Sequence, residues 1–213
     1  MTGAGEDACP PVRDDEVAAA ARVLAAGGVV AYPTETVYGL GVDATSRAAI
    51  ERLLEAKGRD AGRGISVLVS DLAMAAPLLA APPPKAAIAL ARRYWPGPLT
   101  IVLPASASVA AELRGPSGGV GLRCSSDPWA AALLARFGAP LTSTSANRSG
   151  DEPARDAAGA RAVFRAGVFV LDGGARLGSA VSTVIEFAGG RATVLRAGAI
   201  PAEEIASFIQ QTE

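Results

Sequence analysis

Four consecutive hydroxyl residues, Thr142, Ser143, Thr144 and Ser145, run into Ala146, Asn147, Arg148, Ser149 and Gly150. A segment so dense in donors and acceptors is costly to bury without partners. It follows an apolar stretch ending at Leu141, so it reads as a buried strand opening into a polar loop whose partners come from a ligand. The other reading is a Ser/Thr-rich turn that caps the next helix. Cations form a second set. Lys57-Gly58-Arg59 sits where a helix stops, and Arg63 follows in a glycine-flanked loop. Such cations complement a helix dipole, or they clamp phosphates, with Lys57 as a mobile point charge and Arg59 as a planar fork. No Gly-x-x-x-x-Gly-Lys-Ser/Thr loop is present, and Gly39-Leu40-Gly41 lacks the third glycine of a dinucleotide fingerprint. A nucleotide bound here has to be held by cationic side chains.

The segment Tyr32-Pro33-Thr34-Glu35-Thr36-Val37-Tyr38-Gly39-Leu40-Gly41 brings two threonines and a glutamate to a strand end, where open α/β sheets place ligands. Arg123 ends the apolar run Val120-Gly121-Leu122; an arginine at a strand terminus can form a bidentate pair with a ligand carboxylate, or it makes a surface salt bridge. Ser182-Thr183 and Arg196 occupy similar places on later strands.

Composition narrows the chemistry. The 213 residues are 50% hydrophobic and 19% charged, enough for a sizeable core. The net charge of −1 gives no electrostatic reason for binding nucleic acid or membrane. Histidine is absent, which removes the commonest general base and metal ligand, excludes Ser-His-Asp and Cys-His mechanisms, and argues against zinc. Cys9 and Cys124 build no disulfide framework, and no run of ~20 residues is free of charge or turn residues. A cytoplasmic protein without a membrane segment is the expectation.

These residues need elements to position them. Residues 1–13 read as a flexible tail and residues 14–213 as the folded unit. Helices are expected at Asp15–Ala26, capped by Asp14, and at Ser46–Lys57, Leu72–Ala80, Lys85–Arg93, Pro128–Phe137, Asp156–Val163 and Ala202–Gln210. Strands are expected at Val29–Tyr32, Ile65–Val69, Leu99–Leu103, Val120–Arg123, Val168–Leu171, Val181–Phe187 and Ala192–Arg196, the last two joined as a hairpin by Gly189-Gly190. Residues 33–45 read as irregular. The alternation is α/β and the hairpin makes the sheet mixed.

Seven stretches together resemble the YrdC-like family, the threonylcarbamoyl-AMP synthases: YPTETVYGLG at 32–41, KGR at 57–59, WPGPLTIVLPA at 95–105, VGLR at 120–123, STSANRSG at 143–150, VSTVIE at 181–186 and LRAG at 195–198. They keep the family's order and cover nearly the whole chain from about residue 15 onward. The resemblance implies one domain in the short, single-domain form, a twisted open mixed sheet flanked by helices with a concave basic cleft. It implies an enzyme making threonylcarbamoyl-AMP and pyrophosphate from L-threonine, bicarbonate or CO2, and ATP, for the N6-threonylcarbamoyladenosine modification of tRNA.

By position, Lys57 and Arg59 match the catalytic pair, and with Arg63, Ser145, Asn147, Arg155 and Arg196 they match nucleotide contacts. Thr34, Arg123, Ser145 and Ser182 match positions around the threonine. Mg²⁺ is expected with the ATP, and downstream tRNA threonylcarbamoyl-transfer proteins are the expected partners. Asp60 stands where the family usually has proline, and Cys124 lies near a second such position; both bear on loop rigidity. The alternatives are a double-stranded RNA-binding module, which the charge and the few aromatics oppose, and another carbamoyl-transfer enzyme.

Overall fold

The computed structural model describes residues 10–58, 64–176 and 181–211. Helix α1 (Asp14–Ala25) leads into strands β1 (Val29–Pro33) and β2 (Tyr38–Gly41), and α2 (Arg47–Lys57) into β3 (Ser66–Leu68). Then come α3 (Leu72–Ala75), a 3-10 turn at Ala76–Leu78, α4 (Lys85–Tyr94), β4 (Leu99–Pro104), a 3-10 turn at Ala111–Leu113 and β5 (Gly119–Arg123). The chain continues through α5 (Pro128–Phe137), β6 (Leu141–Ser145), α6 (Ala157–Phe164), β7 (Val168–Val170), the hairpin β8 (Thr183–Ala188) and β9 (Arg191–Arg196), and α7 (Ala202–Gln210).

The strands form one mixed sheet in the order β7-β1-β2-β6-β3-β5-β4-β8-β9. Three pairs are parallel (β1–β7, β3–β5, β4–β8) and the other five are antiparallel, three of them in succession from β1 through β2 and β6 to β3. Helices cover both faces. Val30 and Tyr32 of β1 pack with Leu24 of α1 and Trp129 and Leu133 of α5, while Val29 and Ala31 point into the larger core under α2 and α4. This two-sided burial is why β1 reads as a continuous apolar run.

The face packed by α1 and α5 is covered at one end only, and the side chains record this. Along β6, Leu141 lies in that apolar cluster, whereas Ser143 and Ser145, two and four residues on, line a cavity. Along β3, Leu68 is in the cluster and Ser66 in the cavity. Residues at i, i+2 and i+4 share one face of a strand, so a single face passes from hydrophobic to hydroxyl where the helical cover stops.

Local signals place most elements. Asp127 caps α5, accepting from the amides of Trp129 and Ala130, with Pro128 at the first helical position. Ser46 caps α2 through the amide of Ala49. Gly189 and Gly190 have φ of 57° and 74°, as the expected hairpin turn requires.

Four expectations are corrected. First, residues 33–45 are not irregular throughout: Thr34 and Val37 close a turn (Thr34 N to Val37 O, 3.1 Å) and the chain returns as β2. Gly39 and Gly41 look like loop residues in sequence, but the Tyr32 ring lies across β2, and a Cβ on Gly41 would stand 2.6 Å from Tyr32 Cε1. Second, Thr142–Ser145 is not a loop after a strand. It is strand β6 at the middle of the sheet. Third, Leu72–Ala80 does not stay helical; Pro77 lies in the 3-10 turn, because a proline amide cannot extend the α-helical ladder. Fourth, Asp14 is the first residue of α1 instead of its cap, with Arg13 at the cap position and three acidic residues in the first turn.

Candidate active site

The cavity at the uncovered end of this face has a volume of about 330 Å³, at the small end of the ~300–1,000 Å³ typical of small-molecule sites. Its floor is Thr100 of β4, Ser66 of β3, and Ser143, Thr144 and Ser145 of β6. Thr34, Thr36 and Val37 form one lip, and Val181 and Ser182 before β8 the other. Arg123 at the end of β5 and Arg196 at the end of β9 are its only charged lining residues among those described. The structure therefore brings Thr34, Arg123, Ser145, Ser182 and Arg196 together from five separate places in the chain.

Each is held differently. Thr34 Oγ1 donates to Val37 O at 2.7 Å and lies 3.1 Å from Thr36 Oγ1, so it shapes the turn as well as facing the cavity. Arg123 is 8% exposed. Its Nη2 lies 2.8 Å from Glu35 Oε1, and its Nε donates to Gly97 O at 3.4 Å. Its Nη1 donates to no acceptor among the described residues. Arg196 folds onto Ser182, with Nε and Nη2 donating to the Ser182 carbonyl at 3.1 and 2.9 Å and Nη2 to its hydroxyl at 2.9 Å. Burial, and then the like charge of Arg123, pull Arg196 below its ordinary pKa. Ser182 Oγ also lies 3.2 Å from Thr100 Oγ1. This wall needs Gly198: a Cβ there would come within 2.6 Å of Thr183 N.

Three expected site residues lie outside the lining. The Lys57 ammonium is buried, donating to Ser145 O at 2.6 Å and Asn147 O at 3.0 Å, and Lys57 O accepts from Ser149 N at 3.1 Å. Lys57 thus fastens the end of α2 behind the loop that leaves β6. Asn147 spends its side chain on that loop: Oδ1 accepts from Ser145 Oγ, and Nδ2 donates to Arg148 O and Asp151 O at 2.7 and 2.9 Å. Arg155 is exposed and its carbonyl accepts from Arg176 N. Arg59 and Arg63, like Cys9 and Asp60, lie outside the described residues.

Glu35 is the participant that sequence reasoning left without a role. Its carboxylate bridges the β1–β2 turn to the loop after β5, accepting from Ser125 Oγ at 2.5 Å and from Ser126 N and Oγ at 3.3 and 3.4 Å besides pairing with Arg123. Burial would raise its pKa, but the Arg123 charge and the serine hydrogen bond hold it below the usual carboxylate value. Tyr32 lies beneath: its OH donates to Thr142 O at 3.1 Å, and burial drives the phenol pKa up, with Ser143 and Arg123 opposing. Among the described residues no group of three His, Cys, Asp or Glu side chains is placed to hold a metal ion.

The family model Sua5/YciO/YrdC, described as "Telomere recombination", matches residues 22–198. The chain belongs to the Sua5/YciO/YrdC family. One relative, the threonylcarbamoyl-AMP synthase of Thiobacillus denitrificans, is 44% identical over 174 residues, covering 82% of this chain and 91% of that protein. Among solved structures, P. abyssi Sua5 complexed with L-threonine superposes with a TM-score of 0.86 at 33% identity, over 96% of this chain. This chain spans only 60% of that protein. E. coli YciO superposes with a TM-score of 0.78 at 26% identity, over 90% of this chain and 93% of its own. The Sua5/YciO/YrdC fold accounts for the large mixed sheet. No helix among the described residues is long and apolar enough to cross a membrane.

Proposed function

We propose that this protein is a threonylcarbamoyl-AMP synthase, a nucleotidyl-transferring enzyme that joins L-threonine, bicarbonate or CO2, and ATP and releases pyrophosphate. The observation that carries the reading is the convergence of two arginines and a ring of hydroxyls on one cavity in a chain 44% identical to a protein of that name. Arg123 Nη1 holds the threonine carboxylate, and Thr34 and Ser182 meet its amine and hydroxyl. Arg196, pinned to Ser182 by Nε and Nη2, turns its remaining nitrogen toward the nucleotide, and Ser145 stands between the two substrates. Lys57 and Asn147 serve the nucleotide side by fixing the loop that carries Ser145. By the family resemblance, Arg59, Arg63 and Arg155 meet the nucleotide.

The chemistry suits this equipment. The threonine amine adds to CO2, loses a proton and becomes a carbamate. A carbamate oxygen attacks the α-phosphorus of ATP, the bond to the bridging oxygen breaks, and pyrophosphate leaves. Such transfers depend on positioning and charge neutralisation and need no protein nucleophile, consistent with a chain lacking histidine. Mg²⁺ would arrive on the triphosphate and supply charge neutralisation there, as is usual for that ion. The product is expected to pass to tRNA threonylcarbamoyl-transfer proteins in the cytoplasm. Pyrophosphate release measured with each substrate omitted in turn tests the reading. Release is expected only with ATP, L-threonine, bicarbonate and Mg²⁺ together, and release indifferent to threonine rejects it.

A further inference from the structure

The cavity raises a problem of charge. Its two charged lining residues among those described, Arg123 and Arg196, are both cationic, and no described Asp or Glu lines it. A free amino acid carries an ammonium as well as a carboxylate, and two arginine charges repel an ammonium that the cavity's hydroxyls would accept. The missing negative charge lies one side chain back. Glu35 is not among the lining residues, yet its carboxylate touches the Arg123 guanidinium at 2.8 Å and is fixed there by Ser125 and Ser126. Both partners are largely shielded from solvent, with side chains 10% and 18% exposed, so water screens the pair weakly. Arg123 thus reaches the cavity through Nη1 as a donor with most of its charge cancelled from behind.

We propose that Glu35 sets the charge of the amino-acid subsite: by neutralising Arg123 it makes the subsite accept a zwitterion and turn away a ligand that brings a carboxylate without an ammonium. Glu35 is a positioning and specificity-determining residue, acting through Arg123. The inference rests on the proposed seat of the threonine carboxylate at Arg123.

The test compares L-threonine with 3-hydroxybutanoate, which has hydrogen in place of the amine and the same carboxylate and hydroxyl. Binding of each is measured by titration calorimetry to the full-length protein and to its Glu35→Gln and Glu35→Asp forms. Glutamine keeps an acceptor for Arg123 and Ser125 while removing the charge; aspartate keeps the charge. A neighbouring charge of this kind shifts an ionic equilibrium by roughly 10- to 1,000-fold. The preference for threonine over 3-hydroxybutanoate should therefore shrink at least ~10-fold in Glu35→Gln, chiefly through tighter 3-hydroxybutanoate, and persist in Glu35→Asp. A merely structural role weakens both ligands together, and an unchanged ratio overturns the proposal. The unaltered protein gives a check that needs no variant: 3-hydroxybutanoate binding within about threefold of threonine, far less than such a charge produces, overturns it as well. Failure of threonine to bind the unaltered protein removes the proposed function and this inference with it, whereas threonine binding with an unchanged ratio removes the inference alone.

Discussion

Lys57 is where stability and catalysis can be separated. Its ammonium is buried, with 2% of the residue exposed, and donates to two backbone carbonyls at the end of β6. Replacing it with methionine keeps the apolar stem and removes the charge. Hydrogen bonds to charged groups contribute ~1.5–3 kcal/mol each, so two of them lost, with both carbonyls left facing a thioether, cost about 3 kcal/mol or more. For a chain of this size ~1 kcal/mol moves Tm by about 2–4 °C, so Lys57→Met should melt about 6–12 °C below the parent. Thermal unfolding followed by circular dichroism measures it, and pyrophosphate release on the folded variant gives the second reading. A Tm within about 2 °C of the parent, less than ~1 kcal/mol, refutes the claim that this ammonium fastens the loop. Lys57 would then act on substrate alone.

Arg123→Met should raise the KM for threonine at least ~10-fold, since a charge-assisted contact is worth ~1.5–3 kcal/mol, while the KM for ATP stays within a few-fold; steady-state kinetics with either substrate varied decides it. Gly198→Ala drives a Cβ into the backbone of Ser182 and Thr183, so a cost of ~1–3 kcal/mol should appear in urea midpoints together with weaker ATP use, because Arg196 hangs on Ser182. Tyr32→Phe removes one neutral hydrogen bond to Thr142 O and should cost about 1 kcal/mol, read as a small drop in Tm with kinetics unchanged. Glu35 has a folded pKa below its ordinary value. Its contribution is therefore complete above the unfolded carboxylate range and vanishes as pH falls through the folded value; urea midpoints between pH 7 and 3 should fall less steeply in Glu35→Gln than in the parent.

What could be read from the chain depended on whether the cause was local. Pro128–Phe137 and Ala202–Gln210 have the expected bounds, and the Gly189-Gly190 hairpin is in place, because caps, proline and glycine act within a few residues. Strand β2 was not legible: its two glycines are dictated by a tyrosine ring seven to nine residues earlier in sequence, on the strand paired beside it. The hydroxyl run was legible as chemistry but not as a strand, because hydroxyl-bearing strands occur where a sheet face loses its helical cover, a tertiary fact. The gathering of Thr34, Arg123, Ser182 and Arg196 spans most of the chain, and no spacing rule relates them; family resemblance supplied that grouping. Glu35 stood in view within a quoted motif, yet its partner Arg123 is 88 residues away.

The lysine tie behind β6 bears on how fast this protein can work. A loop already fastened to α2 before any ligand arrives has lost its wandering during folding, so substrate encounter requires no slow search for the competent shape. That stretch of the cavity wall is in this respect cast before any ligand arrives.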